Sequence, residues 1–270
     1  MPELPEVETS VRALRPSLLN RTITGVRNTW PRHVITPSLA ELQARIRGRQ
    51  IEAITRRGKF LVFTLSEDET LIIHLRMSGH LSVVDGGEAV DAYTHTIFEL
   101  GNGRELRFRD PRKFGCVYLV HDPQQVLGKL GPEPLDPEFT VETLQARLRG
   151  RRRVLKPLLL DQPFIAGVGN IYADEALFYA RLHPQRTTDT LTEAEIAALH
   201  AGLQKALREG IAREGASITT YVKPDGQKGD MQNAMAVYDQ DGLPCLRCGT
   251  PVKRIVLGGR GTHFCPNCQL

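Results

Sequence analysis

Four of the five cysteines fall into two Cys-x2-Cys pairs, Cys245/Cys248 and Cys265/Cys268, with sixteen residues between the pairs. This spacing suits one tetrahedral zinc ion, because a short knuckle aims two thiolates at the metal and a second knuckle completes the shell. Four thiolates leave no open position for substrate, so the expected zinc is structural. The competing reading is a pair of disulfides, which a reducing compartment disfavours. TPVKRIVLGGRGTHF, between the pairs, reads as a hairpin with Gly258, Gly259 and Gly261 at its turn. Cys116, inside the apolar run FGCVYLV, reads as a core residue.

A different chemistry is available at the other end of the chain. Removal of Met1 would leave Pro2 with a free secondary amine, and Glu3 and Glu6 follow it. A chain-terminal amine has a pKa of about 8 against about 10.4 for lysine, so roughly a tenth of it is neutral at pH 7. Such an amine can attack a sugar C1′ and form a Schiff base without the buried pocket that a nucleophilic lysine requires. Glu3 and Glu6 place a proton donor and acceptor beside it. The plainer reading is a proline-containing arm that caps a helix.

A third feature could hold phosphate. LKPLLLDQPFIAGVGNIYADEALFYARLHP, residues 155–184, reads as a short helix, a glycine-containing turn and a second helix. Asn170 is the expected N-cap, with Asp174 and Glu175 in the first turn. Amides at that helix start, beside Gly167 and Gly169, could cradle a phosphate, although many helices begin this way and bind nothing. Six basic residues and no acid lie between Arg147 and Lys156, and residues 242–270 carry Arg247, Lys253, Arg254 and Arg260, again without an acid. These patches suit a phosphate backbone, or else are solvated faces.

The elements that must position these groups differ between the two halves. IEAITRRGKFLVFTL, TLIIHLRMSGHLSVV, HTIFELGNGRELRFRD and FGCVYLV are β-branched or aromatic runs broken by Gly, Asn and Asp, and read as strands. One helix precedes them, with Pro5 in its first turn and Val7, Val11, Leu14 and Leu18 on one face. The proline-rich stretch GPEPLDPEF reads as a linker. Beyond it, Leu191–Glu214 carries Ile196, Leu199, Leu203, Leu207 and Ile211 at helical spacing, with Thr192 and Glu195 as a capping box. The net charge of +4 and 41% apolar content fit a globular chain. The acidic N-terminus has no apolar run and no stretch reaches the ~20 apolar residues of a membrane span, so a cytoplasmic setting is expected.

PELPEVET at the N-terminus, RRGKF at 56–60, HLRMSG at 74–79, DPRKFG at 110–115, GVGNIYADEALF at 167–178 and the four-cysteine tail occur in one order over nearly the whole chain. Together they closely resemble the bacterial formamidopyrimidine-DNA glycosylases, also called 8-oxoguanine DNA glycosylases. The resemblance implies an α+β fold: an N-terminal antiparallel β-sandwich flanked by helices, then a helical domain with a helix-two-turn-helix and a four-cysteine β-hairpin zinc finger. The expected limits are 1–131 for the sandwich, 132–139 for a hinge, 140–235 for the helical DNA-binding domain and 236–270 for the zinc finger.

It also implies excision of oxidised purines from duplex DNA, in base excision repair, with strand cleavage by β,δ-elimination. Pro2 would be the nucleophile and Glu3 the proton donor that opens the sugar ring, with Glu6 in support. Lys59 would donate a proton in β-elimination and hold a phosphate, and Arg260 would assist δ-elimination. A base must leave the stack to be attacked, and the hole it leaves would be filled by Met77, Arg112 and Phe114. For Met77 and Phe114 in isolation, ordinary core is the default; here each lies just before a glycine-containing turn. His74, His95, Arg112, Arg151 and Asn170 match DNA-contacting positions, and Lys156 matches one near the lesion. One structural zinc, no diffusible cofactor, damaged duplex DNA as partner, a monomer and a bacterial, nucleoid-associated location complete the expectation.

Two departures stand out. Arg76 occupies a position where relatives often have glycine, and Asp230-Met231 replaces an aromatic pair in the segment expected to cap the flipped base, so residues 217–230 receive no individual lesion contacts. Endonuclease VIII, specific for oxidised pyrimidines, shares the Pro-Glu chemistry but usually opens PEGPE, and Leu4 and DPRKFG favour the purine branch. A non-catalytic zinc-ribbon binder of nucleic acid would need none of Pro2, Glu3, Lys59 or Met77, and a zinc-stabilised structural module would leave the six-residue basic patch without use.

Overall fold

Val7, Val11, Leu14 and Leu18 are all buried on one face of helix α1 (Leu4–Leu18), and Pro5 lies in its first turn, where a missing amide costs nothing. The computed structural model describes residues 1–270. Nine strands follow within the first half of the chain. β1 (Ile23–Asn28), β7 (Thr94–Leu100), β8 (Arg104–Arg109) and β6 (His80–Asp85) form one antiparallel sheet in that order. β2 (Val34–Thr36), β9 (Cys116–Val120), β5 (Glu69–His74), β4 (Phe60–Leu65) and β3 (Ile51–Arg57) form the other, antiparallel except for the parallel pairing of β2 with β9. Alternate residues such as Leu61, Phe63 and Leu65 of β4 point to one face. They meet Phe98, Leu106 and Phe108 of the other sheet and the apolar face of α1 in one core, which makes this half a β-sandwich. Each such side chain stabilises the fold by about 1.5–3 kcal/mol on burial.

Helix α2 (Leu39–Ile46), β1 and β2 were not expected from the pattern. The start of α2 is nonetheless written locally, because the Ser38 hydroxyl accepts the Glu41 N–H at 3.2 Å. A single turn, α3 (Gln124–Leu127), closes this part of the chain.

The remaining elements are helical until the tail: α4 (Val141–Leu148), α5 (Leu155–Leu159), α6 (Asn170–Ala180) and α7 (Glu193–Ala212), then the hairpin β10 (Lys253–Leu257) and β11 (Arg260–Phe264). Thr192 and Glu195 form the expected capping box, and Ile196, Leu199, Leu203 and Leu207 are buried along α7. Gly169, not Asn170, occupies the cap of α6; Asn170 is the first helical residue, and Asp174 and Glu175 fall in the second turn, buried.

The chain forms two compact units. The first is Met1–Lys129 with Ala216–Gly229, and the second is Leu130–Gly215 with Asp230–Leu270. Two of the expected limits differ from this division. Residues 216–229, placed by sequence in the helical domain, belong with the sandwich, because the Ala216 N–H donates to Glu6 Oε1 at 2.8 Å and the Tyr221 hydroxyl donates to the Glu6 carbonyl at 3.3 Å. Residues 132–139 are not a free hinge. The Ala166 N–H donates to the Pro132 carbonyl at 3.0 Å, His200 Nε2 lies 2.6 Å from the Phe139 carbonyl, and Phe139 is buried, so the stretch straps onto the second unit.

Candidate functional site

In the first unit, the N-terminal residues are held by a doubly used carboxylate. Glu6 Oε2 accepts the Glu3 N–H at 2.8 Å while Oε1 accepts the Ala216 N–H at 2.8 Å. Pro2, Glu3 and Glu6 are all buried, and the half-exposed Met1 precedes Pro2, whose nitrogen is a peptide nitrogen until Met1 is removed. Glu3 sits at the α1 cap, where the helix dipole favours a carboxylate.

Lys59 lies in the two-residue turn between β3 and β4, where Arg57 pairs with Phe60. Gly58 takes φ +56° there, a conformation that favours glycine at the first position of such a turn. The turn is tied to α1 by Arg56, whose guanidinium reaches the Gly58 carbonyl at 3.0 Å and Glu8 at 3.3 Å. Burial raises the Glu8 carboxyl, but Arg12 and Arg56 outweigh it and hold the group below its usual range. Sequence reasoning passed over Arg56 and Glu8; the arginine pair ahead of Gly58 was the available signal.

His74 pairs with Phe60 across β5 and β4 and is buried beside the Lys59 turn. Burial, then the Arg76 and Lys59 charges, pushes its imidazole down to about 3. Its Nδ1 accepts the Arg76 N–H at 2.9 Å, so the neutral ring carries its proton on Nε2, ready to donate to an anion. Arg76 itself adopts φ +53°, which explains why glycine would suit this position. His95 is buried, with Nδ1 3.2 Å from the Thr29 hydroxyl and Nε2 without a hydrogen-bond partner. Burial, followed by His33 and Lys113, also holds His95 below its ordinary value.

The three candidate void-filling side chains are on the surface: Met77 is 36% and Phe114 53% exposed, and the Arg112 guanidinium lies 5.0 Å from the centre of the Phe114 ring. That exposure rules out ordinary core for both apolar residues. Their two turns share one buried carboxylate. Asp110 Oδ1 accepts the Ser78 hydroxyl at 2.6 Å and Oδ2 accepts the Gly115 N–H at 2.7 Å. Burial raises this carboxyl, but His33, Ser78 and Gly115 together bring it down to about 2, so it stays ionised. Residues 216–229 reach the same turns: the Thr220 hydroxyl donates to the Met77 carbonyl at 3.2 Å, and His80 Nε2 donates to the Lys223 carbonyl at 3.0 Å.

In the second unit, the four cysteine sulfurs converge, all within 4.8 Å of one another. Cys245 and Cys268 are 4.0 Å apart and Cys248 and Cys265 3.5 Å apart, too far for disulfides. Tetrahedral zinc at about 2.3 Å from each sulfur needs sulfurs about 3.8 Å apart, so the donor set fits. The Arg247 and Cys268 amides approach the Cys245 and Cys265 sulfurs at 3.4 Å each, as second partners of thiolate ligands. Gly258 and Gly259 both have positive φ, +56° and +73°, and close a two-residue β10–β11 turn after which Arg260 stands exposed opposite Leu257.

This hairpin is fastened to the helix-turn-helix. Asn170 Nδ2 and Lys156 Nζ donate to the Gly261 carbonyl at 3.0 and 2.8 Å. Glu175 accepts the Ala236, Val237 and Tyr238 N–H groups, each at 2.9 Å, although burial still pushes its carboxyl up. Lys156, expected near a lesion, is fully buried, with its ammonium 2.7 Å from the equally buried Asp174. A lone buried ammonium would be costly, and the pairing with Asp174 offsets that cost. Arg151 is exposed on the basic stretch, with Nε donating to the Arg147 carbonyl at 2.8 Å.

Comparison with known proteins covers both units. Residues 1–117 match the model of the formamidopyrimidine-DNA glycosylase N-terminal domain, 130–222 that of the family's H2TH domain, and 242–270 that of the zinc finger found in FPG and IleRS. A formamidopyrimidine-DNA glycosylase of Chloroflexus aggregans is 48% identical, over 100% of this chain and 99% of that protein. Among solved structures, a Lactococcus lactis FPG mutant in complex with Fapy-dG-containing DNA aligns with a TM-score of 0.93 at 38% identity, covering 99% of each chain. The MutM (FPG) protein of Thermus thermophilus aligns with a TM-score of 0.90 at 43% identity, covering 99% of this chain and 98% of that one.

Proposed function

The chain belongs to the formamidopyrimidine-DNA glycosylase family, and from that premise we propose that it excises oxidised purines through Pro2 and then cuts the strand at the emptied site. It is a DNA glycosylase with abasic-site lyase activity, it binds damaged duplex DNA, and it carries one structural zinc. The preferred substrates are 8-oxoguanine and formamidopyrimidines. The observation that carries the reading is that Met77, Arg112 and Phe114 stand exposed together on two turns that share the buried Asp110 carboxylate.

With Met1 removed, the Pro2 amine attacks C1′ and the damaged base departs with the bonding electrons and a proton. Glu3 protonates the ring oxygen as the C1′–O4′ bond opens, leaving an iminium on Pro2. Water takes a C2′ proton, the electrons break the C3′–O3′ bond and Lys59 protonates the departing 3′ phosphate; water then takes a C4′ proton and, with Arg260 assisting, the C5′–O5′ bond breaks and the 5′ phosphate leaves. Glu6, whose two oxygens each hold a backbone amide, orients the N-terminus and does not shuttle protons. Neutral His74 and His95 present ring N–H donors to phosphates, Arg151 and Asn170 add backbone contacts, and Lys156 supports the hairpin that presents Arg260.

No helix is long and apolar enough to cross a membrane. A DNA substrate places the enzyme at the bacterial chromosome, where it works as a monomer.

Borohydride trapping on a duplex with one 8-oxoguanine opposite cytosine tests the reading. The native chain, with Met1 confirmed absent, gives a covalent adduct that maps to Pro2 and disappears in Pro2→Gly and Glu3→Gln. Binding without adduct or cleavage would overturn it. Adducts only with oxidised pyrimidines would move the chain to endonuclease VIII chemistry.

A further inference from the structure

His33 lies beneath the two turns that carry Met77 and the Arg112–Phe114 pair, and the steps above make no use of it. It is fully buried in the short turn Pro31–His33 before β2. Its ring stacks on Phe108, with centroids 4.9 Å apart and planes 30° from parallel. Its Nδ1 is 3.2 Å from the Thr96 hydroxyl, and its Nε2 faces Asp110 Oδ2 at 3.4 Å.

Two of these partners, Phe108 and Asp110, support those turns. A Cβ at Gly79 would come within 2.7 Å of Phe108 Cε2, and one at Gly115 within 2.3 Å of Phe108 Cζ. The backbone of each turn therefore rests on the same aromatic ring with no slack. Asp110 holds the Ser78 hydroxyl in one turn and the Gly115 N–H in the other. A leucine would fill the same volume without desolvating two nitrogens. The polarity of His33 serves only Asp110 and Thr96, and the Thr96 hydroxyl already has a donor in Asn28 Nδ2 at 2.8 Å.

We infer that His33 is a positioning residue for duplex engagement: braced on Phe108 and facing Asp110, it fixes the spacing of the two turns, so that Met77, Arg112 and Phe114 enter the void together. The inference rests on the void-filling reading of those three side chains. Its effect falls on getting a base out of a paired helix and not on the bond-breaking steps at Pro2.

The test compares His33→Leu, His33→Asn, His33→Gln, Met77→Ala and Phe114→Ala in the full zinc-loaded chain. Two rates are measured: single-turnover excision of 8-oxoguanine from a duplex, and cleavage of a single-stranded oligonucleotide with a preformed abasic site, where no void exists. A 2-aminopurine beside the lesion reports unstacking. Asn reaches Thr96 but not Asp110, whereas Gln restores an amide near the Nε2 position. Leu and Asn slow duplex excision about tenfold or more, since displacements of about 1 Å can cost about a hundredfold. They also blunt the 2-aminopurine signal, leave single-strand cleavage at the native rate, and Gln recovers both. Native duplex rates in Leu and Asn, or equal losses on both substrates in Asn and Gln, would overturn the inference. If Met77→Ala and Phe114→Ala excise from duplex at the native rate, the void-filling reading itself falls, and the inference with it.

Discussion

Lys156→Ala offers the sharpest test of the second unit. In the native fold Asp174 Oδ1 is 2.7 Å from the Lys156 ammonium, Oδ2 accepts the His263 N–H at 2.9 Å, and neither Lys156 nor Asp174 is exposed to solvent. Alanine leaves the His263 bond in place but strands a carboxylate oxygen in a dry interior. Removing one partner of a buried ion pair costs about 3–5 kcal/mol. Against a typical domain stability of about 5–15 kcal/mol that is a large share. With a urea m-value of about 1–3 kcal/mol/M, the midpoint should fall by on the order of 2 M. Urea unfolding followed by far-UV circular dichroism reads the helices. The single tryptophan, Trp30, lies in the first unit and serves as a separate probe there. Lys156→Met combined with Asp174→Asn removes the stranded charge while keeping an oxygen for His263, and should recover most of the loss. A loss below about 1 kcal/mol in Lys156→Ala, the range of an exposed pair, would refute the structural assignment.

Three further outcomes follow from the same geometry. Chelation should release one zinc per chain, expose four titratable thiols and abolish strand cleavage until zinc is restored; a metal-free chain that still cleaves fully would contradict the structural role. Acid should weaken the first unit in two steps. The unfolded His74 imidazole takes up a proton below pH of about 6.5 while the folded one resists to about 3, so stability falls as pH drops through that window, by up to about 1.4 kcal/mol per unit. Asp110, at about 2 in the fold, loses its contribution between pH about 3.9 and 2. Thermal melts from neutral to acid pH should show this slope, and it should shrink in His74→Phe. Gly115→Ala, whose Cβ would meet Phe108 Cζ at 2.3 Å, should destabilise by about 1–3 kcal/mol and slow duplex excision. Gly87→Ala, with nothing within 4 Å, should melt and cleave like the native chain.

Local signals carried much of the fold. The spacing of Val7, Val11, Leu14 and Leu18, the β-branched and aromatic runs in 51–65 and the Thr192–Glu195 box each describe neighbours in sequence, and each formed as expected. The paired cysteines belong to the same class. What was hidden depends on contacts between distant residues. Glu6 reads as a candidate acid or base, and nothing near it in sequence shows that the Ala216 N–H, 210 residues away, donates to its Oε1. Lys156 reads as the end of a basic patch and, by resemblance, as a group near the lesion; its partners Asp174 and Gly261 lie 18 and 105 residues away and have no local signal. Proline content suggested a hinge at 132–139, but no local pattern reports that Pro132 and Phe139 have partners thirty and more residues away. His33 carries no motif at all, since its partners come from β7, β8 and the turn after β8.

The return of residues 216–229 to the first unit bears on how the protein is made. On the ribosome, residues 1–129 emerge with α1, both sheets and all three exposed turn residues, yet the amide that engages Glu6 Oε1 does not exist. It appears only after the 86 residues 130–215 have been added, which at about 5–20 residues per second takes roughly 4–17 s. A nascent or prematurely terminated chain therefore holds Glu6 and the N-terminal residues without the Ala216 amide that engages them. Translation order itself delays a strand-cutting activity until the helices and nearly the whole chain are in place, and no split of the gene into a front and a back half leaves the first unit intact.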